Sequence, residues 1–303
     1  MTSIEAVAPP RTALERARAT VGPLLAAALA ELPGETREVV ESGLSRQDFS
    51  TAALVLLCAE AFGDVDVAPA ALAMEFAQLH EQLHADLMAH TGARVEFGAD
   101  RVVSAADALL SLACGRLGRT GVMILTVALM SVVDGYVQEI GMAEEAEADM
   151  SRHLGVAAAK HSSLTAAACE LGALAAGANA RQAGHLRQFG DDLGLARKHV
   201  DDVLAVRVNR RTLPVVAAIN ARITVEGGRR WCEQQAGLLL ARALNHLEQC
   251  GPRARTAGEL ARLARQVTIG RCAPAVPAQA SRGAHSDTRS TTLPAACPVA
   301  TNS

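Results

Sequence analysis

Aromatic side chains are almost missing from this chain, with one Trp, one Tyr and five Phe in 303 residues. Sheet-rich folds draw on aromatic and β-branched residues, so a chain that is 50% apolar with only 2% aromatics builds its core from Ala, Leu and Val. That mix favours helices. Lysine is scarcer still: Lys160 and Lys198 stand alone among 29 basic residues, the rest being arginine. Charge of one sign is not in excess either. With 32 acidic residues the net charge is -3, which leaves no electrostatic footprint for nucleic acid, and no such partner is expected. Seven cysteines, an odd number with no CxxC pair, exclude a disulfide framework and point to a reducing, cytoplasmic setting. The N-terminus lacks a basic segment followed by an apolar one. The longest uncharged apolar stretch, residues 121–133, falls short of the about 20 residues that cross a bilayer, so no transmembrane segment is expected.

What is present is helical periodicity. Apolar residues recur three and four apart in Leu24, Leu25, Ala28 and Leu32, and again in Leu238, Leu239, Ala243 and Leu247. Breaks at Pro33-Gly34, Gly63-Asp64, Thr91-Gly92, Gly227-Gly228 and Gly251-Pro252 divide the chain into about ten helices. Residues 1–11, with Pro9-Pro10, read as a flexible lead-in, and residues 12–270 as one all-α domain. From residue 271 the composition turns to Pro, Ala, Ser and Thr, which bury too little to order themselves, so 271–303 is expected to be a disordered tail.

HEQLH at 80–84 matches HExxH, which on a helix sets His80 and His84 one turn apart with Glu81 as a general base. His90 follows where a longer motif has a third ligand, but that motif needs a Gly to turn the chain first, and Leu87 stands there. Zinc is accordingly not expected as a cofactor, and zinc hydrolysis is the third of three functional readings.

A second pattern is spread along the chain. LRQFGDDLGLARKHVDDVL at 186–204 carries Phe189-Gly190, Leu193-Gly194, Ala196 and Asp201-Asp202 in step. Upstream stand KHSSLTAAACELGALAAG at 160–177, ADALLSLA at 106–113 and ALVLLCAEAFG at 53–63; downstream stands RRTLPVVAA at 210–218. In this order and across about residues 50–247 the chain resembles the trans-polyprenyl diphosphate synthase family. The resemblance implies an orthogonal helical bundle around a central cavity, the isoprenoid synthase type I fold. It implies an allylic prenyl diphosphate as ligand and pairing as a homodimer or a heterodimer with an active synthase. It also implies site roles: Lys160, Asp201 and Asp202 in catalysis, Gln138, Lys198, Arg210 and Arg211 beside Lys160 at the diphosphate, and Asp86, Asp201 and Asp202 at Mg2+.

The chain departs from the family where the metals and the second substrate bind. Of the first aspartate-rich motif only Asp86 remains, after His84 and Ala85; Ala205 replaces the last Asp of the second; and RQDFSTA at 46–52 stands where the family carries GGKRLRP. One carboxylate is a weak magnesium ligand set, so Mg2+ is expected to be weakly held or absent. Losing an electrostatic donor around a departing diphosphate costs about 3 kcal/mol of transition-state stabilisation. The first reading is therefore a family member impaired in chain elongation that serves as a partner or regulatory subunit of an active synthase. The alternative is an active prenyltransferase or class I terpene-synthase-like enzyme with a reduced metal site.

Overall fold

The computed structural model describes residues 12–143, 149–205 and 212–268. The described residues all belong to one compact unit; residues 1–11 and 271–303 and the pair Arg210 and Arg211 lie outside the described residues. Among the described residues every regular element is a helix.

There are thirteen: α1 (Ala13–Ala30), α2 (Gly34–Leu44), α3 (Ser50–Glu60), α4 (Ala68–Ala89), α5 (Gly92–Phe97), α6 (Ala99–Cys114), α7 (Arg119–Ala143), α8 (Met150–His161), α9 (Ser163–Ala175), α10 (Ala180–Leu204), α11 (Leu213–Ala221), α12 (Val225–Cys250) and α13 (Ala254–Val267). The excess over about ten has local causes. One is the six-residue α5. Another is a break between α8 and α9 at the buried Ser162, where neither Gly nor Pro marks the sequence.

Helix α3 is central: Ser50 to Cys58 are almost all buried, between α9, α4 and α1. Small residues let the backbones approach. A Cβ on Gly172 of α9 would strike the carbonyl of Val55 in α3, and one on Gly190 of α10 would sit 2.7 Å from the Ala166 Cα in α9. Close packing of this kind replaces the bulk that aromatics usually supply, and an added methyl here costs about 1–3 kcal/mol. Gly194, one turn further along α10, lies against the His161 carbonyl and the Ser162 Cα at the α8–α9 break. That contact carries Lys160 and His161 up to the second half of α10.

Helix α7 is longer than the apolar stretch seen in the sequence. It runs 25 residues without interruption, and its segment Arg119–Met142 has the length and apolar composition that could cross a membrane. Its inner face, with Gly121, Leu125, Ala128 and Val132, is buried against α8 and α9. Its outer face exposes Met123, Val127, Met130, Val133, Val137 and Ile140, each more than half accessible.

Candidate functional site

A cavity of about 320 Å³ opens where the start of α3, the second half of α4, the α8–α9 break and the second half of α10 converge. Four basic side chains line it: Arg46, Lys160, Arg197 and Lys198. Each has an acidic partner within the chain. Arg46 Nη2 donates to Asp86 Oδ2 at 2.7 Å and Nη1 to Oδ1 at 3.3 Å. Lys160 Nζ donates to Glu139 at 2.7 Å, Lys198 Nζ to Asp202 Oδ1 at 2.7 Å, and Arg197 to Asp48 at 3.0 Å.

The loop before α3 explains how Arg46 and Arg197 arrive. Phe49 takes a left-handed conformation, φ 61°, with its ring buried beneath the Arg18 guanidinium, which turns the chain sharply into α3. Asp48 then accepts from the Ser50 N–H at 2.9 Å, and Glu75 of α4 accepts from the Ala52 N–H at 2.7 Å, so two carboxylates close the helix N-terminus. Arg197 reaches the same turn through the Ser50 hydroxyl at 2.9 Å. Burial pushes the Glu75 carboxyl up to about 7, against the Ala52 hydrogen bond.

Lys160 is sheltered. Its side chain is 11% exposed, its ammonium lies 4.1 Å from the centre of the Tyr136 ring, and Gly135 leaves room for its stem. The Tyr136 hydroxyl donates to Glu81 at 3.0 Å, and burial followed by the Glu81 charge raises the Tyr136 phenol. Burial likewise raises Glu81, opposed by the Tyr136 hydrogen bond and Lys160. Burial, then the fields of Lys198, Lys160 and Arg197, hold His161 well below the ordinary histidine range, so the imidazole at the cavity wall is neutral.

The residues singled out in the sequence divide. Lys160, Lys198 and Asp201 line the cavity. Asp202, expected beside Asp201 at a metal, turns instead toward α11, where it accepts from the Leu213 N–H at 3.0 Å as well as from Lys198. Asp86 is held by Arg46 and by the Ala93 N–H at 3.0 Å; burial raises its carboxyl, but these hydrogen bonds outweigh it and leave the acid below the usual range. Gln138 is bonded to Asp134 on the same helix at 2.6 Å and is not among the cavity-lining residues. Arg46, Arg197, Glu81 and His161 line the cavity without having been picked out for it. Arg197 and His161 each adjoin a residue that was, so the register of the motif could have found them.

The donors do not fit a magnesium cluster. Asp86 and Asp202 give both oxygens to protein donors, Asp201 lies 3.8 Å from the Arg197 Nε, and among the described residues no three His, Cys, Asp or Glu side chains converge. Nor does the HExxH stretch form a hydrolase centre. Glu81 faces the cavity and Tyr136, whereas His80 bonds the Ala106 carbonyl of α6 and neither it nor His84 lines the cavity. His90 caps α4 in a left-handed conformation with its side chain exposed.

A helical bundle with its charged cavity between the start of α3 and the second halves of α4 and α10 has the form of the isoprenyl synthases, and the comparisons agree. Residues 52–214 match the family model of the polyprenyl synthetases. Over 255 residues the chain is 32% identical to a geranylgeranyl diphosphate synthase of Mycobacterium tuberculosis, covering 69% of this chain and 72% of that one. A polyprenyl synthetase structure from Streptomyces coelicolor superposes with a TM-score of 0.76 at 25% identity, over 84% of this chain and 98% of that one. A geranylgeranyl pyrophosphate synthetase from the archaeon Geoglobus acetivorans shares the fold, with a TM-score of 0.77 at 18% identity over 84% and 96% of the two chains. The chain belongs to the polyprenyl synthetase family.

Proposed function

We propose that this chain is a member of the polyprenyl synthetase family that does not itself elongate prenyl diphosphates and acts as a partner or regulatory subunit of an active prenyl diphosphate synthase. One observation carries the reading: every basic side chain of the cavity is matched with a carboxylate of the same chain. Asp86 and Asp202, which the resemblance gives to magnesium, and Lys160 and Lys198, which it gives to diphosphate, are each held by a partner within the chain. Ionising an allylic diphosphate requires both sets turned toward the ligand. The exposed apolar face of α7 supports the second half of the reading, because a contiguous stripe of large apolar side chains marks a binding surface.

The test is to add the purified chain to an active prenyl diphosphate synthase and separate the products by chain length. The expected result is a changed rate or length distribution together with co-elution of the two proteins. Unchanged products and separate elution contradict the partner role.

A second reading is favoured by the cavity itself, which remains open and keeps Lys160, Lys198 and Asp201 on its wall. On that reading the chain is a prenyltransferase or class I terpene-synthase-like enzyme, and the Lys160→Ala variant loses turnover.

A further inference from the structure

His80 and His84 on α4 take no part in the cavity, and the two rings lie together with centroids 4.5 Å apart and planes tilted by 54°. Both are half-buried, against α6. His80 Nδ1 is 3.0 Å from the Ala106 carbonyl oxygen. A carbonyl only accepts, so Nδ1 carries a proton, and in the neutral imidazole this leaves the lone pair on Nε2. This is the arrangement by which a backbone carbonyl orients a metal-binding imidazole. The i, i+4 spacing puts the second imidazole on the same face, one turn away. Asp107 of α6, the residue after Ala106, is exposed and interacts electrostatically with His84, adding negative charge beside the rings.

We propose that His80 and His84 form a two-histidine chelate for a divalent transition metal of the zinc class, on the α4–α6 surface and separate from the cavity. It is not a hydrolytic centre, because Glu81 is committed to Tyr136. Two imidazoles supply two ligands, and water completes the coordination. Nitrogen donors select zinc, nickel or copper over magnesium, so this site is chemically distinct from the one the family uses. Metal bound here joins successive turns of α4 next to α6, and it stabilises the folded chain by mass action.

The experiment is calorimetric titration of the chelator-stripped full-length protein with zinc chloride, paired with thermal unfolding with and without zinc. The proposal expects a saturable equivalent and a raised Tm. It expects binding more than about tenfold weaker in His80→Ala and in His84→Ala, with circular dichroism showing both variants folded. Glu81→Gln binds like the wild type, as does His246→Ala, which removes the other close histidine pair, His185 and His246. Absence of a saturable equivalent overturns the proposal, as does undiminished binding in His84→Ala. Loss of binding in Glu81→Gln also overturns it, since that result belongs to a hydrolytic zinc arrangement.

Discussion

Along the cavity, Arg46, Lys160, Arg197 and Lys198 each meet a carboxylate from within the chain, whereas along the outer face of α7 six large apolar side chains are exposed on the single chain. The two regions belong to one fold and lie on adjoining helices, for Tyr136 of α7 touches both Lys160 and Glu81. Their difference lies in where each finds its partner. Charges can be satisfied internally, and once they are, an incoming ion must compete with a neighbour already in place. Apolar surface on the outside of a helix is relieved only by another surface. A chain whose reactive groups are matched at home and whose apolar face is not has its unmet interactions at its surface.

The largest effect is expected on α7. On the proposed role of this face as an interface, replacing Met130 and Val137 by Glu removes two large apolar side chains and places charge in their stead, weakening association by about 4 kcal/mol, or roughly a thousandfold. Sedimentation of the variant, alone and with a synthase, reads this directly. An unaltered sedimentation coefficient would detach the apolar stripe from any interface.

Next comes Glu75. Its folded pKa of about 7 lies above the ordinary carboxylate value of 4.5, so the folded chain holds a proton that the unfolded chain has released across that window. Stability therefore falls as pH rises from about 4.5 to 7, and the full cost, on the order of 3 kcal/mol at most, is present above it. Glu75→Gln imitates the protonated acid. Denaturant midpoints should show the variant gaining on wild type between pH 5 and pH 8, with little difference at the acid end.

Arg46→Ala leaves the Asp86 carboxylate buried with only its amide partners, and is expected to cost about 2 kcal/mol at pH 7. The sign for Asp86 is the reverse of that for Glu75. Its folded pKa is depressed, so its contribution is present above the unfolded value and is lost as pH falls through the folded one. Urea unfolding at pH 7 and pH 3 should show the Arg46→Ala penalty shrinking toward acid. The smallest effect belongs to Asp201→Asn. Arg197 and Asp201 are 3.8 Å apart and both more than a third exposed, so the change should cost under about 1 kcal/mol. A large loss there would mean that the second aspartate region is as firmly locked as the first.

Much of this was legible in the residues alone. The Ala and Leu periodicity yields an all-α chain, and the order of Lys160, Phe189-Gly190 and Asp201-Asp202 points to the family. Each of these is written in the order and spacing of residues along the chain, which helices display plainly. The matching of charges is not local. Arg46 and Asp86 are 40 residues apart, and Arg197 meets Asp48 across 149. Nothing in the RQDFSTA stretch announces that its arginine turns toward the remaining aspartate of α4. The Ser162 break was hidden because its cause is tertiary: Gly194 brings α10 against the backbone there, with no Gly or Pro at the break itself to mark it. Glu75 carries no motif at all, and only its burial at the head of α3 shows what it does.

The central claim is that the cavity's carboxylates and cations are committed to one another and do not carry out elongation. It is tested most directly by incubating the purified chain with Mg2+, isopentenyl diphosphate and geranyl, farnesyl or geranylgeranyl diphosphate, and weighing the products by mass spectrometry. The account predicts that each allylic diphosphate is recovered unchanged from folded protein. A longer diphosphate above the enzyme-free control would contradict it.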